Sequence, residues 1–187
     1  MTTSDALCGP GSGGGWDPRA VLAEQRRDLR TEVGRWIDGD RRDGSVDEAL
    51  GLLIAPLLVE EEVLCPFAWV TMRGPRDEVL ETLDDSRRQR RRLRGLHRPA
   101  ESSAPRAPTR SEEVSEAALG LEEHLRRTDR RLLSVVRSHV SRSGWSTLGQ
   151  QLHAARSAIG TRLAEATATE LLIGTGPCDA LVLDVPR

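Results

Sequence analysis

Apolar residues recur along most of the chain at intervals of three and four, the spacing that gathers side chains on one face of an α-helix. Asp17-Pro18 is a start signal, an N-cap followed by proline at the first helical position, and Leu22, Leu29, Val33 and Trp36 keep the helical spacing until Asp38-Gly39. A second helix is predicted from Ser45, where Glu48 completes a capping box, through Leu53, Leu57, Val63, Leu64 and Phe67 to Met72. Pro56 and Pro66 lie inside it, and because each removes a backbone donor the element is expected to be bent or split. Gly74-Pro75 marks a turn, and a third helix is predicted from Arg76 to Leu93 on Val79, Leu80 and Leu83.

The stretch from His97 to Arg110 contains three prolines and little that is apolar, so it reads as a linker. A fourth helix is predicted from Ser111 on the stripe Val114, Ala118, Leu121, Leu125, Leu132, Val135 and Val136, ending near Val140. Ser143-Gly144 opens a last helix with Trp145, Leu148, Leu152, Ala155, Ile159 and Leu163 on one side. Residues 1–16, rich in Gly, Ser and Thr, read as a flexible leader, 17–170 as one helical domain and 171–187 as a tail. Strand-like alternation is absent, so the fold class is all-α. Long helices joined by short turns pack naturally as an antiparallel bundle.

Polar residues interrupt three of these stripes. The seam of the first helix passes through Leu22, Arg26, Leu29 and Val33, and that of the second through Leu53, Leu57, Glu60, Leu64 and Phe67. In the fourth, His124 and Thr128 sit one turn apart beside Leu121 and Leu125, with Asp129 adjacent. An unpaired charge inside a bundle costs several kcal/mol, so Arg26 and Glu60 are expected to pair with each other or to reach solvent. Of Glu60, Glu61 and Glu62, only Glu60 is expected inside, because consecutive helical residues face different directions.

Composition removes several chemistries. All 27 basic side chains are Arg, and neither Lys nor Tyr occurs, which excludes lysine Schiff bases and tyrosyl redox chemistry. Cys8, Cys65 and Cys178 are odd in number and far apart, without a CxxC pair, so neither a disulfide framework nor a thiolate zinc site is indicated; Cys65 reads as a small buried residue. The first residues have no secretory pattern and no apolar run reaches a membrane span, so the expectation is a cytoplasmic protein without a membrane partner. The GSGGG stretch is not a phosphate loop, since no strand precedes it and no GK[ST] follows. Charged residues make up 30% of the chain for a net charge of -2, so no polyanion partner is indicated globally. Arginines 87, 88, 90, 91, 92, 94 and 98 form a dense run with no interleaved aromatic to stack bases, which reads as a solvated helix face and argues against nucleic acid.

The ordered segments VLAEQRRDLRTEV, LLVEEEVLCPFAWV and HLRRTDRRLLSVVRSHV resemble the hemerythrin-like (HHE) domain family over roughly residues 18 to 165. The resemblance implies an antiparallel four-helix bundle, here with an extra C-terminal amphipathic helix, which in metal-binding members holds a non-haem di-iron centre. On that pattern Arg26 stands where a ligand His commonly follows the Gln, Glu60 matches the carboxylate of the second helix, and Pro56 stands in place of its His. His124 matches the His of the fourth helix, with Asp129 at His-x-x-x-x-Asp spacing. The first His in the chain is His97, so the earlier helices supply no imidazole, and a conventional di-iron site cannot be assembled. His139 and His153 are expected on the surface.

With most ligands of the resembled pattern missing, the expectation is a degenerate metal site in a binding or regulatory bundle, with no cofactor, no catalytic residue assigned, and an unidentified protein or small molecule as partner. An alternative uses Glu60, His124 and Asp129 to hold non-haem iron or another divalent metal for oxygen, peroxide or redox sensing. A third makes the Arg-rich run an anion or nucleic-acid binder.

Overall fold

The computed structural model describes residues 16–37, 46–72, 76–96 and 110–165, and among them every regular element is helical. Helix α1 is Pro18–Ile37. Helix α2 covers residues 46–71 and comprises Val46–Val59, a widened π turn at Glu60–Leu64, and Cys65–Thr71. Helix α3 is Asp77–Leu96. Helix α4 covers residues 110–139, with Arg110–Thr128, a second π turn at Asp129–Leu133, and Ser134–His139. Helix α5 is Arg142–Glu165. The all-α expectation holds. The leader before Trp16, the Ser45–Glu48 capping box, the side chain of Trp36, the Gly74-Pro75 turn, the linker at 97–109 and the 171–187 tail lie outside the described residues.

Local chemistry fixes the helix starts. The Asp17 carboxylate accepts the Arg19 backbone N–H at 3.0 Å, while Pro18 occupies a position that needs no donor. Helix α5 begins one residue earlier than expected, because Ser141 is its cap: the Ser141 hydroxyl accepts the Gly144 N–H at 3.1 Å. The two starts are tied together where Trp145 Nε1 donates to Asp17 at 3.1 Å. Trp16, expected in the leader, instead stacks on His153 of α5 at 4.0 Å. Its carbonyl lies so close to Gly149 that a Cβ there would overlap it.

Helix α2 is the centre of the fold and packs against each of the other four. Leu50, Leu53, Ile54, Leu57, Val59 and Leu64 are fully enclosed, and from Ala49 to Val59 this helix is apolar all round, as a surrounded segment must be. Each such side chain contributes about 1.5–3 kcal/mol of transfer free energy. Neither proline splits it. The chain continues through Pro56, and just before Pro66 the helix widens so that the Cys65 N–H bonds back five residues to the Glu60 carbonyl. Pro66 has no N–H to offer the carbonyl four residues back, and the π turn is where the ladder absorbs that loss.

Helix α1 runs antiparallel to α4: Arg19, Arg26 and Arg30 meet Ser134, Asp129 and Glu122 in descending order. Helix α5 packs across α1 and α2, burying Leu148, Leu152 and Ile159. In α3 Val79 is buried and Leu83 packs against the core as expected, but Leu80 is not. Leu80 is exposed, and the inward face is Val79, Thr82, Ser86, Gln89, Arg90 and Leu93. No described helix is long and apolar enough to cross a membrane.

Candidate functional site

The two π turns begin at the acidic residues that the stripes singled out, Glu60 on α2 and Asp129 on α4. Such turns change the direction in which neighbouring side chains point and recur at functional sites. Glu60 is fully buried and faces His124, itself 1% exposed, with Nε2 and Oε2 only 2.6 Å apart. Helix α3 completes the cluster with two consecutive residues. The Ser86 hydroxyl donates to Glu60 Oε2 at 3.0 Å and lies 3.2 Å from His124 Nε2, while Asp85 Oδ2 is 2.9 Å from the other ring nitrogen, Nδ1. Asp85 is held in turn by Arg127 at 3.0 Å and Arg88 at 2.9 Å.

This setting determines the charge of the imidazole. Burial alone disfavours the imidazolium, but the charge and hydrogen bond of Glu60, followed by those of Asp85, outweigh it and push the His124 pKa up to about 9. His124 is therefore a cation at neutral pH, donating from both nitrogens to carboxylates on two different helices. For Asp85 partial burial works against ionisation, yet His124, Arg88 and Arg127 together hold its carboxyl below the usual range. Glu60 Oε1 is buried and finds no hydrogen-bond partner among the described residues.

A second buried pair lies beside the first. Glu61 and Arg90 are 3% and 6% exposed and meet at 2.7 Å. The expectation that only Glu60 of the acidic triplet turns inward is corrected here: Glu61 is buried as well and takes a cation from α3. Burial pushes the Glu61 carboxyl up, Arg90 opposes this, and the neighbouring Glu60 charge adds to it. Arg90 is accordingly not part of a solvated face, although Arg88, Arg91, Arg92 and Arg94 of the same run are exposed.

Arg26 does not pair with Glu60. It donates to Asp129 at 3.0 Å and to the Leu125 carbonyl at 3.3 Å, at the rim of the α1–α4 contact. The inward position on α1 is its neighbour Gln25, which leaves Arg26 partly exposed. Arg19 approaches the other oxygen of Asp129 at 3.6 Å. The expected set Glu60, His124 and Asp129 is thus brought together only in part. Both His124 nitrogens face carboxylates and both Asp129 oxygens face guanidinium groups. Among the described residues no group of three or more His, Cys, Asp or Glu side chains is arranged to hold a metal ion. In this arrangement Asp129 is engaged by Arg19 and Arg26, whereas Glu60 is engaged by His124 and Ser86. No family model matches this chain, and no curated protein or solved structure is significantly similar to it.

Serine, histidine and aspartate stand in the order of a nucleophilic relay, but the chemistry is different. An imidazolium has no lone pair with which to take the Ser86 proton, and the hydroxyl gives its own hydrogen bond to Glu60. The cluster holds a proton rather than moving one at neutral pH. Outside it lies a small polar depression of about 160 Å³ whose walls include Asp85, His124, Thr128 and Arg131, so the imidazole edge borders the surface. His139 is exposed as expected, whereas His153 is half-buried under Trp16. Cys65 is a buried thiol that is not in a disulfide.

Asp85 and Ser86 were absent from the sequence-based candidates. The signal was present in α3, where Thr82, Ser86 and Gln89 are uncharged polar residues at helical spacing between Val79 and Leu93 in an otherwise strongly charged helix. In such a helix the uncharged polar positions are the ones that a bundle can bury at least cost.

Proposed function

We propose that the chain is a hemerythrin-like bundle of four antiparallel helices, α1 to α4, with α5 added, and that it acts as a binding or regulatory protein with a degenerate metal site. The observation that carries this reading is the occupation of both His124 nitrogens by carboxylates, Glu60 at 2.6 Å and Asp85 at 2.9 Å. A metal-ligating imidazole keeps one nitrogen for the ion and gives only the other to a supporting carboxylate. Here the position that an ion would take against Glu60 is held by a proton, and the raised pKa keeps that proton in place at neutral pH. The Arg26–Asp129 pair supports the same reading, because a guanidinium neutralises the remaining candidate carboxylate.

The test is metal analysis of the purified full-length chain after incubation with Fe(II), Mn(II) or Zn(II) and desalting. Retention well below one ion per chain, unchanged by Glu60→Ala or His124→Ala, is the expected result. Near-stoichiometric iron with a visible absorbance, lost in either variant, would establish the metalloprotein instead.

A further inference from the structure

Helices α1 and α4 leave a groove between them. Its floor and walls are continuous, because Arg26, Arg30 and Glu122 border both of its halves. One half, about 250 Å³, is lined by Leu29, Val33, Gly34, Ala118 and Leu119. Leu119 stands 69% exposed at its lip, a large apolar side chain with nothing over it among the described residues. At Gly34 no side chain fills the space, since a Cβ there would meet nothing within 4 Å.

The other half, about 410 Å³, is cationic. Arg26, Arg27 and Arg30 of α1 face Glu122, Arg126, Asp129 and Arg130 of α4 across it, five cations against two carboxylates in the lining, with Glu123 beside it paired to Arg126 at 3.0 Å. The two carboxylates are already engaged by Arg26, Arg30 and Arg126. Arg27 and Arg130 are exposed and have no carboxylate partner among the described residues. The groove is therefore apolar at one end and carries uncompensated positive charge at the other.

We propose that this groove is the docking site for an acidic amphipathic helix of a protein partner. The inference rests on the binding role proposed above and gives it a place and a partner chemistry. From Ala23 to Gly34 the groove extends about 16 Å along α1, roughly three turns of a docked helix. Apolar residues at i, i+3 or i+4, and i+7 of the partner fill the Leu29–Val33–Leu119 half, and carboxylates on the next turn meet Arg27 and Arg130. The open shape favours a helix over a small molecule, because a drug-sized ligand needs a concavity that encloses most of its surface. The charge excess selects an acidic partner and steers its approach.

The experiment is selection of a displayed library of random 16-residue peptides against the full-length chain, followed by affinity measurement on the enriched sequences. Enriched peptides should be acidic, should form an amphipathic helix when bound, and should weaken on adding salt. Leu119→Asp and the double variant Arg27→Glu/Arg130→Glu, all at exposed positions, should each weaken them at least tenfold without changing the thermal midpoint of the free chain.

Absence of enrichment, enrichment of peptides without acidic residues, or indifference to both variants overturns the inference. So does concentration-dependent dimerisation abolished by Leu119→Asp, which assigns the groove to a second copy. An affinity that appears only when residues 166–187 are removed assigns it to the chain's own C-terminal segment and overturns it likewise. Iron binding at Glu60 and His124 would overturn the degenerate-site reading while leaving the peptide results unaffected, so the two failures are distinguishable.

Discussion

Alkaline pH should loosen this protein through one residue. His124 has a pKa of about 9 in the folded chain against an ordinary value of 6.5, a difference worth about 3 kcal/mol. Below pH 6.5 the folded and unfolded chains both hold the proton, and the stabilisation is complete. Between 6.5 and about 9 only the folded chain holds it, so stability declines steadily with rising pH. Above about 9 neither holds it, and the contribution is gone.

The chain is well suited to the measurement, because it has no Lys and no Tyr whose titration would overlay the alkaline limb. Urea unfolding of the full-length chain at intervals from pH 6 to pH 10 should show a loss of about 3 kcal/mol, most of it between pH 7 and pH 9. The imidazole carbon resonances of His124, assigned by comparison with His124→Gln, should titrate near pH 9 and separate this effect from the cysteines. A flat stability profile over that range, or a His124 midpoint near 6.5, would refute the account of the Glu60–His124–Asp85 cluster.

Glu60→Ala should destabilise the chain by about 3–5 kcal/mol at pH 7, since it leaves a buried imidazole without its closest carboxylate, and urea unfolding would read the loss. Arg90→Met should cost a similar amount by removing the guanidinium that Glu61 meets at 2.7 Å, whereas Glu61→Leu combined with Arg90→Met should recover more than half of it; a strictly additive double variant would contradict the pairing. Gly149→Ala should lower stability by about 1–3 kcal/mol, because the new methyl group collides with the Trp16 backbone, and the fluorescence of the tryptophans during thermal unfolding would report it.

The apolar periodicity located the helices well because burial in this chain is mostly aliphatic. The stripe of α4 is the clearest instance: Val114, Ala118, Leu121, Leu125, Leu132 and Val136 are all buried as the spacing predicts. The same rule misplaced positions where polarity and burial coincide. On α1 the interior residue is Gln25 rather than Arg26, because an uncharged amide can be enclosed where a guanidinium swings to the rim and finds Asp129. On α3 the rule chose the exposed Leu80 over Ser86, since it weighed hydrophobicity and not the partner waiting on another helix. Half of the candidate site was therefore legible, as Glu60 and His124 on their own stripes. Asp85 and Ser86 depend on the register between α3 and its neighbours, which no single helix encodes.

The π turns explain how that register is reached. A regular helix fixes the angle between successive side chains, and Pro66 makes such regularity costly just where α2 must direct Glu60 toward His124. Widening at Glu60–Leu64 removes the conflict, and a matching turn at Asp129–Leu133 lies four residues past Leu125, whose carbonyl Arg26 also binds. The two irregularities let α4 present His124 inward to Glu60 and Asp129 outward to Arg26 within about one and a half turns. One helix thereby supplies a buried cation to α2 and a rim carboxylate to α1. The four charged groups that the stripes appeared to set against one another are partitioned between two separate pairs, Glu60–His124 and Arg26–Asp129, which removes the unpaired buried charge that would otherwise oppose folding.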